Sequence, residues 1–273
     1  MSTHPYSESQ IIALITEYYH LLFSLNYLLP KDIDFPPPVG REIDQTLCQS
    51  LNLTPEVISL MQHIPCPCSE GLMLEHELLI PQSHANCFVD AKLVKLGRDP
   101  EVGENEWFLK ATDVALSVMG DEGQYLVLDT EKNTLRVCTW EGPKSPEDED
   151  EAGLCHDFNP DSPDDHYTRF PVHDPVEYLQ LIIDKTRSLE WLPMRLHSMG
   201  SILTAGPIYS ETKRVLNEEY GWPDNFKSEE WKRDRKRITK EILEHQRKLD
   251  EEEIARRKSE LEDSNILSLC ALQ

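Results

Sequence analysis

Apolar residues at Ile11, Leu14, Ile15, Tyr18, Tyr19, Leu22, Phe23 and Leu25 recur three and four positions apart. That spacing predicts an amphipathic helix over about residues 8–28, with Pro30 as its stop. Ser7 and Gln10, three positions apart, fit a capping box at its start. Phe35-Pro36-Pro37-Pro38 lacks backbone donors and reads as an extended connector, or as a ligand for a proline-binding module. Residues 41–51 fit a short helix. Thr54-Pro55-Glu56 is a helix start, with a cap, a proline in the first turn and an acid beside it. Val57, Ile58, Leu60 and Met61 give that helix a buried face, and Pro65 ends it.

The pattern then changes to short period-two segments. Leu78–Ile80, Phe88–Leu96 (through Val89, Ala91 and Leu93) and Val114–Met119 read as strands. Gln124–Asp129 is apolar on both faces, Tyr125 and Val127 on one and Leu126 and Leu128 on the other, which suits a central strand. Leu135, Val137 and Thr139 alternate with Arg136 and Cys138 after a polar turn at residues 130–134, predicting a hairpin. Helical spacing returns at Asp174-Pro175, where Val176, Leu179, Ile182, Ile183 and Leu189 form one stripe that ends at Pro193. A further helix spans residues 208–220, with Gly221 as its C-cap and Pro223 beyond.

Charge divides the chain more sharply than hydropathy does. The 273 residues hold 50 Asp+Glu and 27 Lys+Arg, a formal net charge of −23. That surplus excludes a nucleic-acid binder and an anionic membrane surface, both of which select basic proteins. Residues 141–166 hold ten acids, one lysine and four prolines, a composition that predicts a disordered loop. Residues 227–263 hold 12 basic and 12 acidic residues with neither proline nor glycine, predicting a long solvated helix. The pairs Glu229/Arg233, Glu244/Lys248, Glu252/Arg256 and Glu253/Arg257 lie at i,i+4, and the heptad seam through Ile238, Ile242 and Leu249 breaks at His245 and Glu252. Within that stretch Lys232–Lys240 is basic; it reads as a solvated helix face, an import signal or a partner-binding patch. The odd count of seven cysteines, the missing secretory pattern and apolar runs too short for a bilayer predict a cytoplasmic protein with reduced thiols.

Few motifs carry chemistry. His63, Cys66, Cys68, His76, His84 and Cys87 place six zinc-ligand types close together, and His63-x-x-Cys66 with His84-x-x-Cys87 has knuckle spacing. The proline inside Cys66-Pro67-Cys68 is foreign to such knuckles, so structural thiols and surface histidines are the reading adopted, with no cofactor assigned. No nucleophile elbow, phosphate loop, dinucleotide fingerprint or calcium loop occurs, and no pair of carboxylates stands out as catalytic. Cys270-Ala271-Leu272-Gln273 fits a farnesylation pattern that would add weak membrane anchoring, although Glu260, Glu262 and Asp263 upstream are acidic where a second signal is basic. The plain alternative is an apolar tail through Ile266, Leu267, Leu269 and Leu272.

The order of these elements resembles the SUKH superfamily, which includes fungal regulators of cell-wall synthesis and bacterial toxin-immunity proteins. The resemblance rests on TPEVISLMQHIP, on DVALSVMGDEGQYLVLDTEKNTLRVCTW and on FPVHDPVEYLQLIIDKTRSLEWLP. Within these, Leu128-Asp129-Thr130 precedes the turn, Trp140 follows it, and Tyr178 and Leu179 lie on the next helix. IYSETKRVLNEEYGWPDNF is similar to a tail of uncharacterised fungal proteins with the same body, and Tyr220-Gly221-Trp222-Pro223-Asp224 is its most specific part. The family turn carries glycine where this chain has Lys132-Asn133. The resemblance implies an α+β fold over residues 1–226, a mixed or antiparallel sheet with helices packed around it, extended by the helix and tail of residues 227–273. It implies a binding scaffold without catalytic residues. The expected function is therefore a non-enzymatic protein-interaction or regulatory module whose acidic surface selects basic partners. The alternative is an accessory enzyme of a fungal metabolic pathway using carboxylate acid/base chemistry in a pocket.

Overall fold

The hairpin at the centre of the sequence also forms the central pair of a four-stranded sheet. In the computed structural model, which describes residues 5–99, 109–121, 123–141, 167–196 and 199–270, the chain divides into two compact units, residues 1–204 and 205–273. Sheets here are antiparallel and helices surround them, the α+β class expected. Ten strands and eight helices alternate along the described residues: α1 (Glu8–Ser24), β1 (Ile33–Asp34), α2 (Gln45–Ser50), α3 (Pro55–His63), β2 (Cys66–Pro67), α4 (Glu70–Glu75), β3 (Ser83–Ala85), α5 (Ala91–Leu96), β4 (Asp113–Ala115), β5 (Ser117–Met119), β6 (Gln124–Asp129), β7 (Thr134–Thr139), β8 (Val172–His173), α6 (Pro175–Arg187), β9 (Leu192–Leu196), β10 (Met199–Leu203), α7 (Pro207–Glu218) and α8 (Ser228–Cys270).

In the larger unit β6 and β7 pair along their whole length, from Gln124 opposite Thr139 to Asp129 opposite Thr134. Asp129 organises the turn by accepting hydrogen bonds from the Glu131 and Lys132 N–H groups, both at 2.9 Å. Asn133 takes the left-handed conformation, φ 52°, so it fills the place of a turn glycine. β4 and β8 flank the hairpin in the order β4-β6-β7-β8. Leu126, Leu128, Val114 and Leu135 face one core, which also holds Ile11, Ile15, Leu22, Leu179, Ile182 and Ile183 of α1 and α6. Tyr125, Val127, Ala115 and Cys138 face a second cluster with Leu109, Tyr167 and Phe170. β6 is thus buried on both faces, as its apolar run predicted.

Helix ends follow side-chain chemistry. α1 stops at Ser24, short of the expected residue 28, because Asn26 turns left-handed (φ 55°). The Tyr27 N–H then reaches the Leu22 carbonyl and the Asn26 N–H the Phe23 carbonyl, closing the helix before Pro30 is reached. The expected capping box at its start does not form: the Ser7 hydroxyl lies 3.3 Å from that of Ser9 and caps nothing. α3 begins and ends as expected, Thr54 accepting from the Val57 N–H and Ile64 turning extended before Pro65. The buried Arg41 guanidinium completes that end, donating to the Met61 carbonyl and, at 2.8 Å, to the Ile64 carbonyl.

Several sequence expectations are corrected. Phe88–Leu96 is not a strand; α5 forms over Ala91–Leu96, where the Asp90 carboxylate caps it by accepting from the Leu93 N–H at 2.9 Å. Leu78–Ile80 is buried but unpaired as a strand, held by the Leu79 N–H donating to the Tyr18 hydroxyl at 2.8 Å. Val114–Met119 splits at Leu116, β4 pairing with β6 and β5 with β3. Residues 37–40 form a turn closed by the Gly40 N–H on the Pro37 carbonyl, so the connector is bent. α6 ends at Arg187, with buried Leu189 left-handed at φ 55°, and Pro193 lies inside β9 opposite Ile202 of β10. A two-stranded ribbon leaves an open edge where a proline without N–H is tolerated.

In the smaller unit α7 packs with α8. α7 ends at Glu218, earlier than expected, and Gly221 serves the chain reversal that follows: it is left-handed (φ 72°), and a Cβ there would lie 2.7 Å from the Asn225 carbonyl oxygen. Tyr220 stacks edge-on against Trp231 at 5.3 Å and donates to Asp234 at 3.1 Å. The resemblance placed a boundary near residue 226; the compact unit begins at Ala205 and groups α7 and Tyr220–Asp224 with α8. α8 is a long helix, as the charge pattern predicts. Trp231, Ile238 and Ile242 are buried and Leu249 and Ile254 exposed. Its ion pairs run mostly from base to following acid, Arg237–Glu241, Lys240–Glu244 and Arg247–Glu251; of the expected pairs Glu253–Arg257 forms, while Arg233 turns to Asp234. Among the described residues, no helix is long and apolar enough to cross a membrane.

Candidate functional site

The six metal-ligand types of the sequence do not converge. Among the described residues no three His, Cys, Asp or Glu side chains are grouped to hold a metal ion. His63, at the end of α3, has Nδ1 2.8 Å from the Ser59 carbonyl and 3.3 Å from Glu8 Oε1. Cys68 is exposed. His84, on β3, has Nδ1 3.0 Å from the His76 carbonyl.

His76 is 1% exposed and takes part in a different arrangement. Its Nδ1 lies 3.3 Å from the Leu72 carbonyl and its Nε2 2.6 Å from Arg195 Nη2. Only the neutral tautomer with hydrogen on Nδ1 satisfies both contacts. Burial lowers the His76 pKa, and the Arg195 guanidinium lowers it further. Tyr27 packs edge-on at 5.5 Å, and a Cβ on Gly200 would lie 2.6 Å from the His76 ring. The residue positions β10 beside α4.

Cys66 and Cys87 form a second arrangement. β1 aligns Asp34 with Cys66, and Cys87 Sγ donates to the Pro67 carbonyl at 2.9 Å. The Phe88 N–H reaches Cys66 Sγ at 3.5 Å, so each cysteine side chain touches the other's segment. Neighbouring Cys87, with Arg41 and the Phe88 N–H, holds the Cys66 thiol below its ordinary pKa against the opposing effect of burial. The Cys87 thiol is pushed well up, by neighbouring Cys66 and by burial.

Among the described residues, Asp113 is a buried carboxylate with a raised pKa, and desolvation is the main cause. Its oxygens accept from the Tyr167 hydroxyl at 2.6 Å and from the Thr112 hydroxyl at 2.9 Å. The Arg98 guanidinium donates to the Leu109, Lys110 and Asp113 carbonyls, each at 2.6 Å. With both oxygens occupied and 2% exposure, this network fastens residues 109–113 against the sheet.

A groove of about 730 Å³ opens where α1 and α6 begin beside the β6–β7 turn. Tyr6, Ser7, Gln10, Asn133, Asp174 and Glu177 are among its lining residues. Asp174 caps α6 by accepting from the Val176 and Glu177 N–H groups. The Tyr6 hydroxyl is buried with no hydrogen-bond partner, and burial raises its pKa, as do the Glu8 and Glu56 carboxylates facing it. No local motif announces this groove, because three segments far apart in the chain build it. The side chain of Cys270 and residues 142–166 of the acidic insert lie outside the described residues. No family model, curated protein or solved structure matches the chain.

Proposed function

We propose that the larger unit is a non-enzymatic, SUKH-like protein-interaction module whose acidic surface selects basic partners. The observation that carries this reading is the partition of charge. Residues 1–204 hold 34 acids against 13 basic residues, a charge of −21, while residues 205–273 hold 16 against 14. A field of that strength steers basic partners and makes their binding salt-dependent. The central hairpin followed by β8 and α6 supports the SUKH-like scaffold. The groove at the starts of α1 and α6 is the contact site in this reading. Its carboxylates, Asp174 and Glu177, suit a Lys- or Arg-bearing segment. The carboxylate with a raised pKa, Asp113, is spent on structure and does not line the groove, which weighs against acid/base catalysis there.

The test is affinity capture with the full chain at low salt, followed by calorimetric titration of a recovered basic partner against the Ser9→Arg/Glu177→Lys variant. Both substituted positions are exposed on the groove lining. The variant is expected to bind at least about tenfold more weakly, the loss shrinking as salt screens it. Unchanged affinity, or no partner retained at low salt, would overturn the reading.

A further inference from the structure

We infer that Cys66 and Cys87 are a modification site, closing to an intramolecular disulfide when the protein meets a peroxide. The case begins with placement. β2 carries Cys66 and is held to β1 by the pairs Ile33–Pro67 and Asp34–Cys66, and the Cys68 N–H donates to the Asp32 carbonyl. Cys87 belongs to a segment fixed independently to the main sheet: the Asn86 N–H reaches the Leu116 carbonyl and the Asn86 side-chain amide the Ala115 carbonyl. Asn86 Oδ1 accepts from the Cys87 N–H at 2.9 Å. The two segments interlock through Cys87 Sγ on the Pro67 carbonyl and the Phe88 N–H on Cys66 Sγ. Each segment thus places its sulfur against the backbone of the other. A disulfide needs side chains directed at one another from closely spaced backbones, and these two reciprocal contacts set the Cys66 and Cys87 backbones side by side before reaction.

The chemistry balances with hydrogen peroxide as the oxidant. The Cys66 sulfur attacks one peroxide oxygen, the O–O bond breaks, and the thiol proton leaves with the departing hydroxide as water. Cys66 is then a sulfenic acid. The Cys87 sulfur attacks the Cys66 sulfur, the S–O bond breaks, and the Cys87 proton leaves in a second water. Two thiols are oxidised to one disulfide, and one peroxide is reduced to two waters. The retention of the Cys66 thiol below its ordinary pKa favours the first step. Both sulfurs are buried, Cys66 at 1% exposure and Cys87 at 0%, whereas Cys68 is exposed. Closure is therefore slower than oxidation of Cys68 and independent of it. The product would staple the β1–β2 ribbon to the segment that follows β3, so it stiffens the larger unit. This inference is independent of the acidic-interface reading.

The experiment uses the full chain carrying Cys68→Ser, treated with hydrogen peroxide, alkylated in denaturant and digested without reduction for mass spectrometry. The expected result is a cross-linked peptide joining Cys66 to Cys87, lighter than its two parts by two hydrogens and abolished by dithiothreitol. In Cys87→Ala, once circular dichroism shows it folded, a sulfenic acid on Cys66 is expected to react with dimedone. Recovery of both residues as alkylated thiols would overturn the inference. So would over-oxidation of either without the cross-link, or bridging of either to another cysteine. Should Cys87→Ala not fold, the Cys68→Ser experiment decides alone.

Discussion

At the scale of the residue, burial has converted ordinary side chains into specific ones. His76 has the composition of a metal ligand and the surroundings of a structural acceptor. Held neutral by burial and by Arg195, its pKa is lower in the native protein than the ordinary 6.5. His173 shifts in the same direction, by burial. The unfolded chain therefore binds protons that the native protein refuses once pH falls through 6.5, and stability is lost from there downward to the native pKa values. Above 6.5 neither state is protonated and the effect vanishes. Each histidine contributes a slope of up to about 1.4 kcal/mol per pH unit within that window. Asp113 acts in the opposite sense, because its raised native pKa favours proton uptake by the folded state. Urea midpoints measured from neutral to mildly acidic pH are expected to fall, and His76→Gln to reduce the slope. A slope unchanged by that substitution would remove His76 as a source.

At the scale of the element, apolar period located most helices and the central strands, while side-chain caps decided many of the helix ends. The β6–β7 hairpin was legible because its alternation is long and its turn polar. α5 departs from the alternation of Val89, Ala91 and Leu93 because Asp90 caps a helix there, accepting from the Leu93 N–H. α1 and α6 both end on left-handed residues that are not glycine, Asn26 and Leu189, so no glycine marks their stops. The hairpin turn shows the same economy at Asn133. Asn133→Gly keeps the left-handed conformation without a Cβ and is expected to change stability by less than about 1 kcal/mol. Asn133→Val forces a β-branched residue into that conformation and is expected to cost about 1–2 kcal/mol or more. Chemical denaturation of the two variants checks the order; equal destabilisation would mean that the Asn133 side chain, not its backbone, holds the turn.

At the scale of the whole molecule, charge is the dominant property, and it belongs to one unit. With −21 on residues 1–204, self-repulsion opposes compaction and falls as added salt screens it. The thermal midpoint of the chain is expected to rise with sodium chloride over the physiological range; a flat or falling response would show that the acids are already offset by local pairing. The apolar periods, the proline stops and the division of charge are local or additive, so the sequence alone determined the central hairpin, most of the helices and the long charged helix. Which residues share a site is neither local nor additive. Only tertiary structure separated His63 and His84 from the thiols, brought Cys66 against Cys87, and assembled a groove from residues near 6, 133 and 174. It did so because burying the faces of α1, α6 and β6 in common cores leaves each intervening loop little freedom, and the positions so imposed bear no relation to spacing along the chain.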